Sequence, residues 1–282
     1  MAHRAILAGV SLGRGPVAVM GTLNVSPESF HAGSVHTEGA DLLAAALRMV
    51  DAGAALIDVG ARSTAPYGAP TIANEVERER LALAVEVLAA KVPVPISADT
   101  ARPGPARAAL DAGARVINDV SGLRDPAVAS LIKAHGAGAI LMAFPRVTRS
   151  EMGPIESVKV LLKEALERAR IAGIPDEHVV LDPGIGFFRD EAVAWDEWDA
   201  AVLAGLRELE ALGRPLCVGM SRKSFLGAIT GRHRTEDRLA GSLAAAAVAV
   251  WNGAALVRAH DVAETLDAVR VAERIRRAGA TL

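Results

Sequence analysis

Asn24, Asp99, Asn118, Asp182, Lys223, Arg258 and His260 are residue types that bind ligands, and each stands at or just past the end of a short apolar run. Ser63 and Thr64 follow another run in the same way. Asp182 opens Asp182-Pro183-Gly184-Ile185-Gly186-Phe187, where a carboxylate can accept two parallel hydrogen bonds from an amidine-like edge while the glycines let backbone come close to a ligand. Asp99 adds an acceptor and Asn118 both a donor and an acceptor. Ser221-Arg222-Lys223-Ser224 supplies two cations and a possible helix cap where oxygen ligands are welcome. Together these residues describe a slot for a flat, polar heterocycle. Arg258 and His260, two apart, can point the same way and clamp an anion beside Asn24.

The elements that must position them repeat eight times, as apolar runs at 17–23, 55–60, 94–98, 116–117, 139–142, 179–181, 216–219 and 255–257. Between the runs lie segments of helical period, such as Leu42, Ala45, Ala46, Met49 and Val50. Ala52-Gly53-Ala54, Ala112-Gly113-Ala114, His135-Gly136-Ala137 and Asn252-Gly253-Ala254 mark tight returns from helix to strand. The opposite connections are long and carry the unusual residues. This is the division of labour of an α/β TIM (β/α)8 barrel, whose strand C-termini converge on one functional face. An open doubly wound sheet would more often carry a glycine-rich first turn, and Gly21-Thr22-Leu23-Asn24-Val25-Ser26-Pro27 has no such fingerprint. A single domain over 1–282 is expected, with 1–15 as a lead-in that closes the barrel floor.

Composition narrows the function classes. Apolar residues make up 51% and charged residues 23%, enough for a sizeable core, and a net charge of −2 gives no field to collect nucleic acid or anionic membrane. The lone Cys217 lies inside an apolar run, so it reads as a buried, inert thiol, and a reducing cytoplasm fits. The alanine-rich 239–250 stretch reads as a tightly packed helix, not a membrane span. Trp195 and Trp198, at helical spacing, read as packing. The histidines show no metal-ligand spacing. Asp58 sits within an apolar run and reads as structural, bonded to neighbouring backbone. Singly, Asp182 reads as a loop cap, Arg258 as a rim ion pair and Asp261 as the cap of the last helix.

Five stretches make the chain resemble the dihydropteroate synthase family from Met20 nearly to the end. They are Met20-Gly-Thr-Leu-Asn-Val-Ser-Pro-Glu-Ser-Phe30, Ile117-Asn-Asp-Val-Ser-Gly122, Leu181-Asp-Pro-Gly-Ile-Gly-Phe187, Gly219-Met-Ser-Arg-Lys-Ser-Phe225 and Val257-Arg-Ala-His-Asp-Val262. The resemblance implies condensation of 7,8-dihydropterin-6-ylmethyl diphosphate with 4-aminobenzoate, with release of pyrophosphate. It implies that Asp99, Asn118, Asp182 and Lys223 hold the pterin, lined by Met142, Phe187 and Gly219. Asn24 would meet Mg2+ and diphosphate, while Arg258 and His260 would clamp the departing phosphates. Asn24, Lys223, Arg258 and His260 are thus the catalytic candidates. Thr64, Pro66 and Ser221, with Phe30, would frame the aminobenzoate. A homodimer through the last helices is implied by the resemblance alone.

The chain departs from the family pattern in its loops. Where Gly-Glu-Ser-Thr-Arg-Pro-Gly is usual, it has Ala61-Arg62-Ser63-Thr64-Ala65-Pro66-Tyr67, so the loop arginine is missing and Arg62 is the substitute within reach. Leu141-Met142-Ala143-Phe144 replaces Met-His-Met, and Phe188 and Arg189 replace a glycine and a lysine. These departures leave open a paralogue that binds pterin without the standard condensation. A pterin-dependent methyltransferase is a third reading, disfavoured because methyl transfer has no pyrophosphate for Lys223, Arg258 and His260 to hold.

Overall fold

The computed structural model describes residues 4–25, 39–62, 72–145, 152–189 and 193–279. A two-stranded antiparallel hairpin, β1 (Ala5–Leu7) and β2 (Val10–Leu12), precedes a closed barrel of parallel strands in chain order. The barrel strands are β3 (Ala18–Asn24), β4 (Leu56–Gly60), β5 (Ile96–Asp99), β6 (Val116–Asp119), β7 (Gly138–Met142), β8 (Val179–Asp182), β9 (Leu216–Gly219) and β10 (Ala254–Ala259). Strand β10 pairs with β3 and closes the ring, Arg258 lying opposite Met20. The α/β TIM barrel expected from the alternating pattern is the fold.

Strand alternation builds the barrel as two concentric packings. Met20, Leu56, Val116, Ile140, Val180, Cys217 and Leu256 point inward and form one apolar plug with Ala5, Leu7 and Leu12 of the hairpin. The hairpin therefore covers the floor. Outward residues such as Val19, Ile57, Ile96, Ile117, Leu181 and Val257 pack against the helices in the larger core. Cys217 is fully buried, and burial pushes its thiol well above the ordinary range, so it is inert.

Helices α1 (Gly39–Asp51), α2 (Asn74–Ala89), α3 (Pro103–Asp111), α4 (Pro126–His135) and α5 (Pro154–Ile171) follow the first five barrel strands. After them come α6 (Trp195–Ala204), α7 (Ser224–Thr230), α8 (Leu239–Trp251) and α9 (Val262–Gly279). The returns from helix to strand are tight, as the Gly-Ala pattern requires: Gly53, Gly113, Gly136 and Gly253 all have positive φ. Along the inward face of β4, β6, β8 and β10 the apolar floor gives way, two residues further up, to Asp58, Asn118, Asp182 and Arg258, whereas β7 ends in Met142 and β9 in Gly219. That change of character within single strands places the site at the C-terminal mouth.

Candidate active site

Register sets the mouth in rows. Asn24 lies opposite Gly60, Gly60 opposite Asp99, and Asp99 opposite Asn118. A Cβ on Gly60 would stand 3.4 Å from Asn24 Oδ1 and 3.8 Å from Asp99 Cβ, so the bare glycine lets the amide and the carboxylate face each other across β4. On the far side, Met142 lies opposite Asp182. Asp99, Asn118 and Met142 are buried, whereas Asn24, Asp182, Lys223 and Phe187 are partly exposed to the mouth.

One layer below, Asp58 organises this row. Its Oδ1 accepts from Ser97 Oγ at 2.6 Å, and its Oδ2 from Arg258 Nε at 2.6 Å and Asn118 Nδ2 at 3.2 Å. The expectation that Asp58 bonds neighbouring backbone is thus corrected: three side chains from three other strands converge on it. A fully buried carboxylate in a mid-strand position cannot reach solvent, and the inward-facing donors of β5, β6 and β10 are what compensate it. The lone acid inside Leu56-Ile57-Asp58-Val59 was the available sequence signal.

Arg258 also gives Nη2 to Asp99 Oδ2 at 2.9 Å. Burial opposes its charge, but Asp58 and Asp99 outweigh burial and hold the guanidinium above its ordinary value. Arg258 and His260 do not form the side-by-side clamp expected from their spacing. Arg258 turns into the barrel, and His260 Nδ1 lies 3.0 Å from Ser221 Oγ. The reason is local charge: two inward carboxylates capture the guanidinium. Asp99 Oδ1 is buried and accepts no hydrogen bond among the described residues. Burial lifts this carboxyl to about 7, with Asp58 and Glu77 adding to the rise and Arg258 and Arg62 opposing it.

The sixth and seventh strand ends meet at Lys223. Asp182 Oδ1 accepts from Gly184 N at 2.8 Å, and burial raises its carboxyl against the pull of Lys223, the Gly184 N–H and Arg258. Gly184 has φ +76 and packs so closely on the Ala143 carbonyl that a Cβ would come within 2.4 Å of its oxygen. Lys223 crosses Gly186, lies 4.9 Å from the Phe187 ring centroid and donates Nζ to Ile185 O. Burial lowers its ammonium to about 8, with Asp182 and Asp199 opposing.

Arg222 is not a second ligand cation. Its Nε and Nη2 bind both oxygens of Asp261 at 2.8 and 2.7 Å, and Nη1 binds the carbonyls of Thr235 and Glu236. This fork engages both oxygens of the Asp261 carboxylate just before α9. Ser224 Oγ accepts from Arg189 Nη2 and provides no side-chain cap to α7. Gly219 closes β9 beside Arg258, leaving ordinary contact distance above it.

Arg62 does not swing into the mouth. Glu77 of α2, fully buried, accepts from Thr100 Oγ1 at 2.6 Å and from Arg62 Nε at 3.1 Å, and its Oε2 lies 3.0 Å from Arg102 Nη1. Arg102 Nη1 also reaches Ile72 O. Glu77 therefore ties residues 62 and 72 to the end of β5, next to Asp99. Sequence reasoning missed it because nothing in an amphipathic helix distinguishes one glutamate among several.

The replacements after Phe187 are packed. Phe188 stacks on Trp198 with centroids 4.9 Å apart, and the Arg189 guanidinium lies 4.2 Å from the Trp195 ring centroid. Both tryptophans thus serve packing. Phe30, Thr64 and Pro66 lie outside the described residues.

A metal must be judged by its donors. Among the described residues no group of three or more His, Cys, Asp or Glu side chains could hold an ion. The amide oxygen of Asn24, beside the open Gly60 position, fits only a Mg2+ that arrives with most of its ligands supplied by substrate phosphates and water.

Known proteins share sequence and fold with this chain. Residues 20–260 match the family model described as pterin binding enzyme. The dihydropteroate synthase of Escherichia coli (strain K12) is 38% identical over 272 residues, covering 94% of each chain. The solved Yersinia pestis dihydropteroate synthase, in complex with a sulfonamide drug, superposes with a TM-score of 0.88 at 33% identity, over 98% of this chain and 99% of that one. The Xanthomonas albilineans enzyme with 4-aminobenzoic acid gives 0.87 at 37% identity, again over 98% and 99%. The chain belongs to the dihydropteroate synthase family of pterin-binding enzymes.

Proposed function

We infer that this chain is a dihydropteroate synthase that joins a dihydropterin-6-ylmethyl diphosphate to 4-aminobenzoate and releases pyrophosphate. The observation that carries the reading is the polar row at the strand ends, with a buried acceptor at Asp99 Oδ1 awaiting a donor between Asn118 and Asn24. Asp182 and Asp99 accept from the ring N–H edges of the pterin, Asn118 reads its ring nitrogen or carbonyl, and Lys223 over Phe187 donates to its carbonyl. Met142 and Gly219 line the slot.

In this reading the carbon–oxygen bond to diphosphate breaks first, the pterin shares the positive charge left on its methylene, and the amine of 4-aminobenzoate then forms the carbon–nitrogen bond and loses a proton. No side-chain nucleophile is needed. The chain's contribution is positioning and electrostatic stabilisation of the departing charge. His260 and Ser221 form the polar rim next to Lys223, and Arg258 supplies a cation anchored from below by Asp58. Ser221, with Phe30, Thr64 and Pro66, frames the aminobenzoate. Mg2+ held at Asn24 would neutralise charge on the diphosphate.

The partner in this proposal is a second copy of the chain. Val248 and Trp251 of α8 and Val271 and Ile275 of α9 are exposed on adjacent helices, an apolar face suited to a homodimer. A cytoplasmic location fits the single buried thiol. Among the described residues no helix is long and apolar enough to cross a membrane.

Pyrophosphate release with the pterin diphosphate and Mg2+, measured with and without 4-aminobenzoate, tests the activity. Release that requires the amine is expected. Pterin binding with no amine-dependent release would overturn the synthase reading in favour of a pterin-binding paralogue.

A further inference from the structure

Asp199, on α6 behind the sixth strand loop, belongs to none of the expected site residues, yet it reaches the site through a single peptide group. Its Oδ1 accepts from Gly186 N at 2.7 Å. The carbonyl of that same peptide unit, Ile185 O, accepts from Lys223 Nζ. The Ile185–Gly186 peptide is thus held at its oxygen by an ammonium and at its N–H by a carboxylate, which aligns the peptide dipole with both charges. Gly186 has φ +85, and a Cβ there would meet Lys223 Cδ at 2.8 Å, so the lysine stem packs directly on the peptide. Asp199 is 1% exposed, and its Oδ2 is buried with no hydrogen-bond partner among the described residues.

A carboxylate with one oxygen bonded and the other orphaned is a costly way to support a loop, since a neutral amide would satisfy the same N–H. What the amide would not supply is the charge. We propose that Asp199 is a positioning residue which, through the Ile185–Gly186 peptide, fixes Lys223 over the pterin slot and sustains its positive charge. The groups that face Asp199 are Lys223, from the β9 to α7 connection, Arg189, from the β8 loop, and Asp196 on its own helix. Lys223 in turn faces Asp182, Asp199, Arg258 and Arg189. Burial lifts the Asp199 carboxyl to about 6, opposed by the Gly186 N–H, Lys223 and Arg189. Its charge is therefore present at neutral pH and is lost on mild acidification.

The test is the Asp199→Asn variant, which keeps an acceptor for Gly186 and removes only the charge. The 13Cε resonance of Lys223, assigned by its loss in Lys223→Met, is followed against pH without substrate. Its midpoint is expected to move down by on the order of half a pH unit in Asp199→Asn. Through the proposed pterin reading, that shift weakens pterin diphosphate binding roughly threefold at pH 8.5 and hardly at all at pH 6.5. An unchanged Lys223 midpoint in folded Asp199→Asn overturns the inference whatever the protein binds. Failure of the wild type to bind pterin counts against the functional reading instead. If Asp199→Asn does not fold, the wild type decides: the Lys223 curve should carry a second inflection at the midpoint of the Asp199 13Cγ resonance, and its absence overturns the inference.

Discussion

Arg258 reaches past strand β3 to Asp58, its Nε 2.6 Å from Oδ2, and the pair sits directly beneath the row of side chains that faces the mouth. Asp58 is fully buried while about a fifth of the Arg258 side chain is exposed, so Arg258 is the carboxylate's one charged partner, beside the neutral donors Ser97 and Asn118, and the guanidinium has solvent as a partial alternative. Removing Asp58 leaves Arg258 with Asp99 as its remaining carboxylate. Asp58→Ala is expected to cost about 3 kcal/mol in urea unfolding, the low end for a broken buried pair. A loss below about 1 kcal/mol would mean that solvent, not Asp58, satisfies Arg258.

Asp99 combines an orphaned buried oxygen with a carboxyl lifted to about 7. A pterin that donates to Oδ1 favours the ionised form, so binding pulls the bound carboxyl below its free value. The sign follows: below about pH 7 binding releases a proton, and well above it none is released. Calorimetric titration at pH 6 in buffers of different ionisation heat should show net proton release that fades as pH rises above about 7 and is clearly smaller in Asp99→Asn. Proton uptake at pH 6 would place the pterin contact elsewhere.

The barrel was legible because strand and helix periods alternate and because β4, β6, β8 and β10 show their inward face in two halves, apolar below and polar above. Asp99, Asn118, Asp182 and Lys223 were legible for the same reason, standing at or just beyond strand ends. Second-layer groups were not. Asp58 looked like an isolated acid, Glu77 like one charge of an amphipathic helix, and Asp199 like part of a helix start. Each acquires its role from a partner 13 to 200 residues away, as in Gly186 with Asp199 and Arg258 with Asp58, and spacing within one element cannot reveal that. The pairing of Arg222 with Asp261, 39 residues apart, misled for the same reason.

Phe188 tests whether the altered sixth loop is compensated. It is 1% exposed and stacked on Trp198, so truncation opens a cavity behind the pterin slot. Phe188→Ala is expected to destabilise by about 3 to 4 kcal/mol, read from thermal or urea unfolding. Phe188→Gly, which restores the residue usual in the family, should be at least as costly here, because nothing else fills the space against Trp198. If Phe188→Gly is instead neutral, the stacked pair is not part of the packed core.

His260 and Asp182 separate leaving-group chemistry from pterin recognition. His260 Nδ1 and backbone N both lie against Ser221 Oγ, at 3.0 and 3.3 Å, so the imidazole is oriented at the rim and not in the slot. Asp182 projects from the end of β8 with one oxygen held by the Gly184 N–H. Stabilisation of a departing anion is realised mainly in the transition state, whereas a ring contact is present in the ground state as well. His260→Ala should therefore lower kcat on the order of 100-fold with a small change in pterin Kd. Asp182→Ala should abolish measurable pterin binding, and the kcat of any residual activity is then secondary. Equal losses of pterin affinity in the two variants would show that His260 belongs to the slot and would return the task of holding the departing phosphates to Arg258 and Asn24.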